Sequence, residues 1–136
     1  MSEYYTSTCT YLDNQGISYR QMDDHTLSIT YNCDNVPSVR VVVIFDKDGD
    51  PLVALRVWSI AKVKEEKMPQ ALVACNDLNN KFRWVKFTVD SDFEFSAQMD
   101  AHVDAYSCGE EVLSLVRRTV NIVDDAYPEL MKVIWG

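Results

Sequence analysis

The chain of 136 residues has an ordinary soluble composition and is long enough for one hydrophobic core, which predicts a single domain over residues 1–136. Its 21 acidic side chains outnumber its 13 basic ones and give a net charge of −8, which would repel a phosphate backbone, so direct nucleic-acid binding is not expected. It has no run of 18 apolar residues and no cationic N-terminal region before an apolar run, so we expect a cytoplasmic protein that does not bind membranes.

The first 33 residues predict one helix and two strands. Ser2 is a candidate N-cap for a helix that stops at residues 14–16, with an apolar stripe at Tyr5, Cys9 and Leu12. A short strand over residues 17–22 follows. In residues 26–33 apolar and polar side chains alternate, which is typical of a strand with one face in water.

The middle of the chain predicts a hairpin with two apolar faces. Residues 39–45, VRVVVIF, are apolar at nearly every position, and DKDGDP marks a tight reversal. With Asp48 and Gly49 as a two-residue turn, Phe45 would oppose Leu52. Helices on one side can cover only one face of this hairpin. We therefore expect a second copy of the chain or a partner segment on the other face; the alternative is that the N-terminal helix lies there.

A helix and a second hairpin come next. The helix has Pro69 in its first turn and an apolar stripe at helical spacing, formed by Met68, Ala71, Leu72, Cys75, Leu78 and Phe82. Odd-numbered apolar residues over 85–99 predict two antiparallel strands with one buried face. A loop of residues 90–92 would pair Val89 with Phe93.

A long final helix is predicted from Gly109, and Pro128 should kink or break it because proline removes a helical hydrogen bond. The resulting element order is helix, three to four strands, helix, two strands, helix. This order is typical of an α+β domain with an antiparallel sheet and segregated helices.

The sequence offers little for catalysis or metal binding. Residues 46–50 look like the start of a calcium loop, but glycine stands at position four instead of six, and a plain turn is favoured. Asp90, Asp92 and Glu94 could hold a hard cation, although a solvated loop is the simpler interpretation. The four cysteines are far apart in the sequence, as free thiols are: Cys9, Cys33, Cys75 and Cys108. No catalytic residue, metal site or cofactor is predicted, and we expect no enzyme.

Several strings, in this order, resemble the YbjN family, which is assigned to bacterial sensory transduction. They are VVVIFDKDGD at 41–50, the asparagines of NDLN at 76–79, FRWVKFTVD at 82–90, GEE at 109–111 and AYPELMKVIWG at 126–136. The resemblance runs from about residue 10 to the end of the chain. It implies an α-β-β-β-α-β-β-α fold similar to that of type III secretion chaperones. It also implies a non-enzymatic module that binds protein, as a regulator or chaperone-like adaptor, with a partner protein or as a homodimer.

Within such a module we expect Trp58 and Trp84 to anchor a partner, because aromatic side chains dominate binding energy at interfaces. Arg56 and Lys86 would lie at the rim of this surface. The alternative is that both tryptophans are ordinary core residues. A second hypothesis, of another class, is a regulatory domain that binds a small molecule or a cation through the acidic loop 90–94.

Overall fold

A computed structural model describes residues 2–136 and places three α-helices on one side of a six-stranded antiparallel sheet. In chain order the elements are α1 (Glu3–Asn14), β1 (Arg20–Gln21), β2 (Thr26–Asn32), β3 (Ser38–Phe45), β4 (Leu52–Lys62), a 3₁₀ turn (Glu65–Lys67), α2 (Met68–Lys81), β5 (Lys86–Val89), β6 (Glu94–His102) and α3 (Cys108–Trp135). The strand order in the sheet is β1-β2-β3-β4-β6-β5. The predicted α+β fold is confirmed.

The core lies between the helices and the odd-numbered strand residues. Leu27, Val43 and Leu55 are neighbours across three strands and are fully buried. On α1, Tyr5 stacks on Phe45 with ring centroids 5.5 Å apart, so α1 lies on the same side as the other helices. The alternative that α1 covers the far face of the sheet is therefore wrong.

Close packing of α1 on α3 explains why α1 takes this place. Gly109 lies where the two helices cross, and a Cβ there would be 2.3 Å from the Cβ of Tyr11. Beside it, Thr8 Oγ1 and Cys108 Sγ are 3.2 Å apart and form a buried hydrogen bond. Only a residue without a side chain lets the helices come this close.

The predicted two-residue turn between β3 and β4 is wrong. Phe45 opposes Val53, not Leu52, and the strands are joined by a longer loop over residues 47–51. The Asp46 carboxylate forms this loop by accepting hydrogen bonds from the backbone N–H groups of Asp48 (3.0 Å) and Asp50 (3.2 Å). A shift of one residue moves every side chain of β4 to the other face.

In the β5–β6 hairpin the predicted faces are confirmed, but the register is wrong by two residues. Phe87 opposes Ala97 and Val89 opposes Phe95. Asp90 Oδ1 accepts hydrogen bonds from the N–H groups of Asp92 (2.9 Å) and Glu94 (3.0 Å), which sets the longer loop. A shift of two residues keeps odd-numbered side chains on the core side.

Helix α3 runs unbroken through Pro128, so the predicted break is wrong. Pro128 cannot donate to the carbonyl of Asp124, four residues before it. That carbonyl oxygen accepts from Asn35 Nδ2 at 3.0 Å instead. Asp124 Oδ1 also accepts from the N–H groups of Asn35 (2.8 Å) and Val36 (2.9 Å), which attaches the β2–β3 loop to α3.

Helix α2 packs along the edge strand β5 and buries a narrow stripe of Ala71, Cys75 and Leu78. Leu72, predicted in this stripe, is exposed, because a helix at the edge of a sheet has a narrower contact face. Asn79 covers the outer edge of β5: its side chain accepts from Phe87 N–H at 2.6 Å and donates to the Phe87 carbonyl at 3.1 Å.

Candidate functional site

The side of the sheet opposite the helices is formed by the even-numbered strand residues, and we call it the open face. One row crosses all six strands: Arg20, Ser28, Val42, Arg56, Gln98 and Lys86. Ser28 and Val42 are buried, whereas most other positions of this face are partly or fully exposed. In residues 2–136 no helix covers the open face.

An apolar groove lies on the open face near the β3–β4 loop. It has a volume of about 560 Å³, and its apolar lining includes Ile44, Leu52 and Ala54. His102 and Asp100 lie along one side of it. Leu52, the first residue of β4, is 40% exposed. The groove and its apolar lining can hold aliphatic or aromatic side chains of another molecule.

Trp58 extends the apolar surface along β4. The pairing of β4 with β6 is irregular between Val57 and Ala61, and Ser59 has φ +55°. Trp58 is the first residue of this bulge and is 54% exposed, directly after the buried Val57. The alternative that Trp58 is a core residue is therefore wrong.

Arg56 lies two residues before Trp58 on the same face and is held in place. Its Nη1 is 2.9 Å from Asp100 Oδ1 and donates to the carbonyl oxygens of Leu55 (2.9 Å) and Met99 (3.1 Å). These bonds link β4 to β6 and partly neutralise the guanidinium charge. Arg56 can orient a bound group, but it contributes less free charge than its formal value suggests.

Of the other two predicted site residues, Trp84 lies away from the open face and Lys86 lies at its β5 edge. Trp84 precedes β5 in a loop, with φ +73°, and is 54% exposed. Its ring lies 5.3 Å from the guanidinium carbon of Arg118 on α3, so it is on the helix side. Lys86 Nζ donates to the carbonyl of Asn79 at 3.0 Å, near the end of α2. The structure thus brings Arg56 and Trp58 together and separates Trp84 from them. Lys86 is two strands from Arg56 in the same row of the open face, with its Nζ at the end of α2.

Two acidic clusters have ligand atoms within 4.8 Å of one another: Asp90 with Asp92 and Glu94, and Asp23 with Asp24 and His25. In the first cluster Asp90 Oδ1 already accepts two backbone hydrogen bonds. In the second, backbone and side-chain hydrogen bonds from His25 lower the pKa of Asp23 and Asp24 respectively. Both arrangements are typical of turns stabilised by side chains, and neither favours cation binding.

Three of the four thiols are poor nucleophiles. Burial raises the pKa of Cys75 to about 11 and also raises the pKa of Cys33 and Cys108. A protonated thiol is weakly reactive. These groups are therefore structural.

A second concave surface, of about 540 Å³, lies between α2 and the end of α3. Val73 and Val133 are apolar side chains in it, and Lys67 and Lys132 are among its charged ones. Leu72 and Val73 of α2 are exposed. Leu72 was predicted in the buried stripe, because helical spacing alone does not show which neighbour a stripe packs against. Within residues 2–136, no helix has both the length and the apolar character that crossing a membrane requires.

The model of the family YbjN, "Putative bacterial sensory transduction regulator", matches residues 8–132. The crystal structure of YbjN from E. coli is similar over 90% of this chain and 87% of that chain, with a TM-score of 0.61 and 16% identity. A structure of the heterodimeric complex ExoU-SpcU, from the type III secretion system of Pseudomonas aeruginosa, contains a chain that is similar over 92% of this chain and 95% of that one, with a TM-score of 0.51 and 14% identity. No curated protein matches. At these identities the two structures show the fold, which is type III secretion chaperone-like.

Proposed function

The chain belongs to the YbjN family, and we propose that it is a non-enzymatic, cytoplasmic regulator or adaptor that binds a segment of a partner protein on the open face. The family description is that of a regulator, and a protein with a similar fold is found in a heterodimeric complex. Both are consistent with function through protein binding. The raised pKa values of the buried thiols are consistent with a non-enzymatic role.

The observation that carries this proposal is the apolar surface of β4 on the open face, where Leu52 and Trp58 are exposed and Ala54 is half-buried. Leu52, Ala54 and Trp58 point to the open face from one strand. Six residues of a strand span about 20 Å, which matches an extended partner segment of about six residues. Aromatic anchors beside apolar grooves are where binding energy concentrates at interfaces. We therefore place the partner along β4, with an apolar side chain against Trp58.

A homodimer through the open face is the second form of this function. Large apolar side chains seldom remain exposed in one strand of a monomer, and a second copy would cover them. Size-exclusion chromatography with light scattering distinguishes the two forms. A dimeric mass that becomes monomeric in Trp58→Ala would favour the homodimer, whereas a monomeric mass at micromolar concentration favours a different partner.

Affinity capture from native lysate, with mass spectrometry, tests the proposal. We expect Trp58→Ala to reduce recovery of the partner at least tenfold while the melting temperature stays within about 2 °C, because an exposed side chain contributes little to folding. Trp135→Ala is the matched control, since Trp135 is 82% exposed at the end of α3. Equal recovery with both variants, or unfolding of Trp58→Ala, would contradict the proposal.

A further inference from the structure

We propose that the partner segment on the open face is acidic and carries at least one large apolar side chain. This inference rests on the proposed function and adds the chemistry of the partner to it. The charges of the sheet support it, because they are opposite in sign to those of the rest of the molecule.

Charged residues are unevenly distributed between the strands and the rest of the chain. The six strands carry five basic residues, Arg20, Arg40, Arg56, Lys62 and Lys86, and two acidic ones, Glu94 and Asp100. All seven are even-numbered and so belong to the open face. The rest of the chain has eight basic and nineteen acidic residues. A chain with a net charge of −8 therefore has one basic surface.

Three of these basic groups are free to bind a partner. Arg56 is paired with Asp100, and Lys86 donates to carbonyl oxygens of α2. By contrast, Arg20, Arg40 and Lys62 are exposed, and no carboxylate of residues 2–136 lies within 4.0 Å of their charged nitrogens. Arg40 Nη2 makes one hydrogen bond to an uncharged acceptor, Met22 Sδ at 3.4 Å.

These free charges flank the apolar anchor. Arg40 and Trp58 lie two residues beyond the Val42–Arg56 pair on the adjacent strands β3 and β4. Lys62 is further along β4, opposite Glu94, and Arg20 is on the edge strand β1, three strands from Arg56. At about 4.8 Å between strands, Arg20 and Arg56 are roughly 14 Å apart. Carboxylates spaced over a few residues of an extended segment along β4 can reach Arg40 and Lys62 while an apolar side chain contacts Trp58, and Arg20 adds positive charge to one side of that path.

The same charges argue against two other occupants. The opposite end of the open face meets the loops that carry Asp23, Asp24, Asp46, Asp48 and Asp50, which would repel a long polyphosphate. A symmetric dimer whose two-fold axis passes through the basic end of the open face would place the basic groups of two copies against each other. A short acidic segment of a different protein avoids both repulsions.

Fluorescence anisotropy with the full chain tests this inference. Three labelled 12-residue peptides share Leu and Trp at the same positions and differ only in carrying Glu, Gln or Lys at the others; a 12-nucleotide single strand is the fourth probe. We expect the Glu peptide to bind at least tenfold more tightly than the Gln peptide, and its affinity to fall with added salt. Arg40→Glu should weaken the Glu peptide at least tenfold. Lys81→Glu, the same charge change at the exposed end of α2, should weaken it less than twofold.

Each other outcome overturns a defined part of the account. If the Lys peptide binds best and Trp58→Ala removes that binding, the acidic partner is wrong and the proposed binding surface stands. If the oligonucleotide binds more tightly than the Glu peptide, the open face binds nucleic acid and both proposals fail. Equal effects of Arg40→Glu and Lys81→Glu show that general charge governs binding, which overturns the acidic inference. If no peptide binds, the acidic inference also fails, and capture with Trp58→Ala decides the proposed function separately.

Discussion

Substitution of Asn79 tests how the sheet is closed at its β5 edge. The Asn79 side chain accepts from Phe87 N–H at 2.6 Å and donates to the Phe87 carbonyl at 3.1 Å. Asn79 therefore makes the hydrogen bonds that a seventh strand would make to Phe87, the residue of β5 whose aromatic ring is buried in the core. Asn79→Ala would leave this donor and acceptor without a partner and expose the strand edge.

The expected cost follows from these two bonds. An unsatisfied backbone group costs about 1–3 kcal/mol when buried, and the half-buried position of Asn79 lets water reach part of the site, so we expect a total of roughly 2 kcal/mol. Unfolding entropy is about 2.1 cal/mol/K per residue, or roughly 0.3 kcal/mol/K for a chain of this length. The melting temperature should therefore fall by about 7 °C.

Calorimetry measures the change in melting temperature, and hydrogen exchange with mass spectrometry locates it. A local loss of 2 kcal/mol corresponds to about 30-fold faster exchange in a peptide that contains Phe87. Asn80→Ala is the matched control, because Asn80 makes only an exposed bond to the Asn76 carbonyl one turn earlier. It should change stability by less than about 0.5 kcal/mol. Similar melting temperatures for both variants, with unchanged exchange in β5, would refute the proposed closure of the edge.

Three further predictions concern other contacts. Asp124→Ala should destabilise the chain by about 1–2 kcal/mol in urea unfolding, because the N–H groups of Asn35 and Val36 lose their acceptor; an unchanged midpoint would contradict this. Burial raises the pKa of Tyr5 to about 12, so the folded state keeps a proton that the unfolded chain releases above about pH 10. Stability should therefore fall between about pH 10 and pH 12, with a smaller fall in Tyr5→Phe. Calcium, magnesium or manganese at millimolar concentration should not raise the melting temperature, because the Asp90 carboxylate already accepts hydrogen bonds from two backbone N–H groups. A rise in melting temperature that is abolished by Asp90→Asn would contradict this.

Which face a strand residue occupies was predictable wherever the register error was even. In the β5–β6 hairpin the parity of the apolar residues identified the buried side, and a shift of two residues left Phe87 and Phe95 in the core. In the β3–β4 hairpin the register error was one residue. Leu52, Ala54 and Trp58 were predicted on the same face of the sheet as Phe45, and they lie on the open face instead. Side chains alternate between the two faces along a strand, so a register error of one residue exchanges the faces and an error of two residues leaves them unchanged.

Both register errors have the same cause. Asp46 and Asp90 each bond the backbone N–H groups two and four residues later, which lengthens the loop beyond its minimum. Both loops repeat an aspartate at the first and third positions, DKDGD and DSDFE, and this repetition is a signal that sequence analysis could use.

The candidate site was only partly predictable, because parity holds only within strands. Arg56 and Trp58 share a strand and share the open face. Trp84 lies before β5 and has a positive φ, so the alternation of side chains between the two faces does not extend to it. Its ring contacts Arg118 instead. Lys86 was expected at the rim of a site, and its Nζ bonds the end of α2 instead, which only tertiary structure shows.

The most direct test of the open face as the binding surface is an NMR titration of ¹⁵N-labelled protein with the Glu peptide. The chain has three tryptophans, so three indole N–H signals report on three places: Trp58 on the open face, Trp84 beside α3 and Trp135 at the end of α3. We predict that the Trp58 indole and the backbone of β3 and β4 shift while the Trp84 and Trp135 indoles do not. Shifts confined to Trp84, Trp135 and the helices would contradict the account.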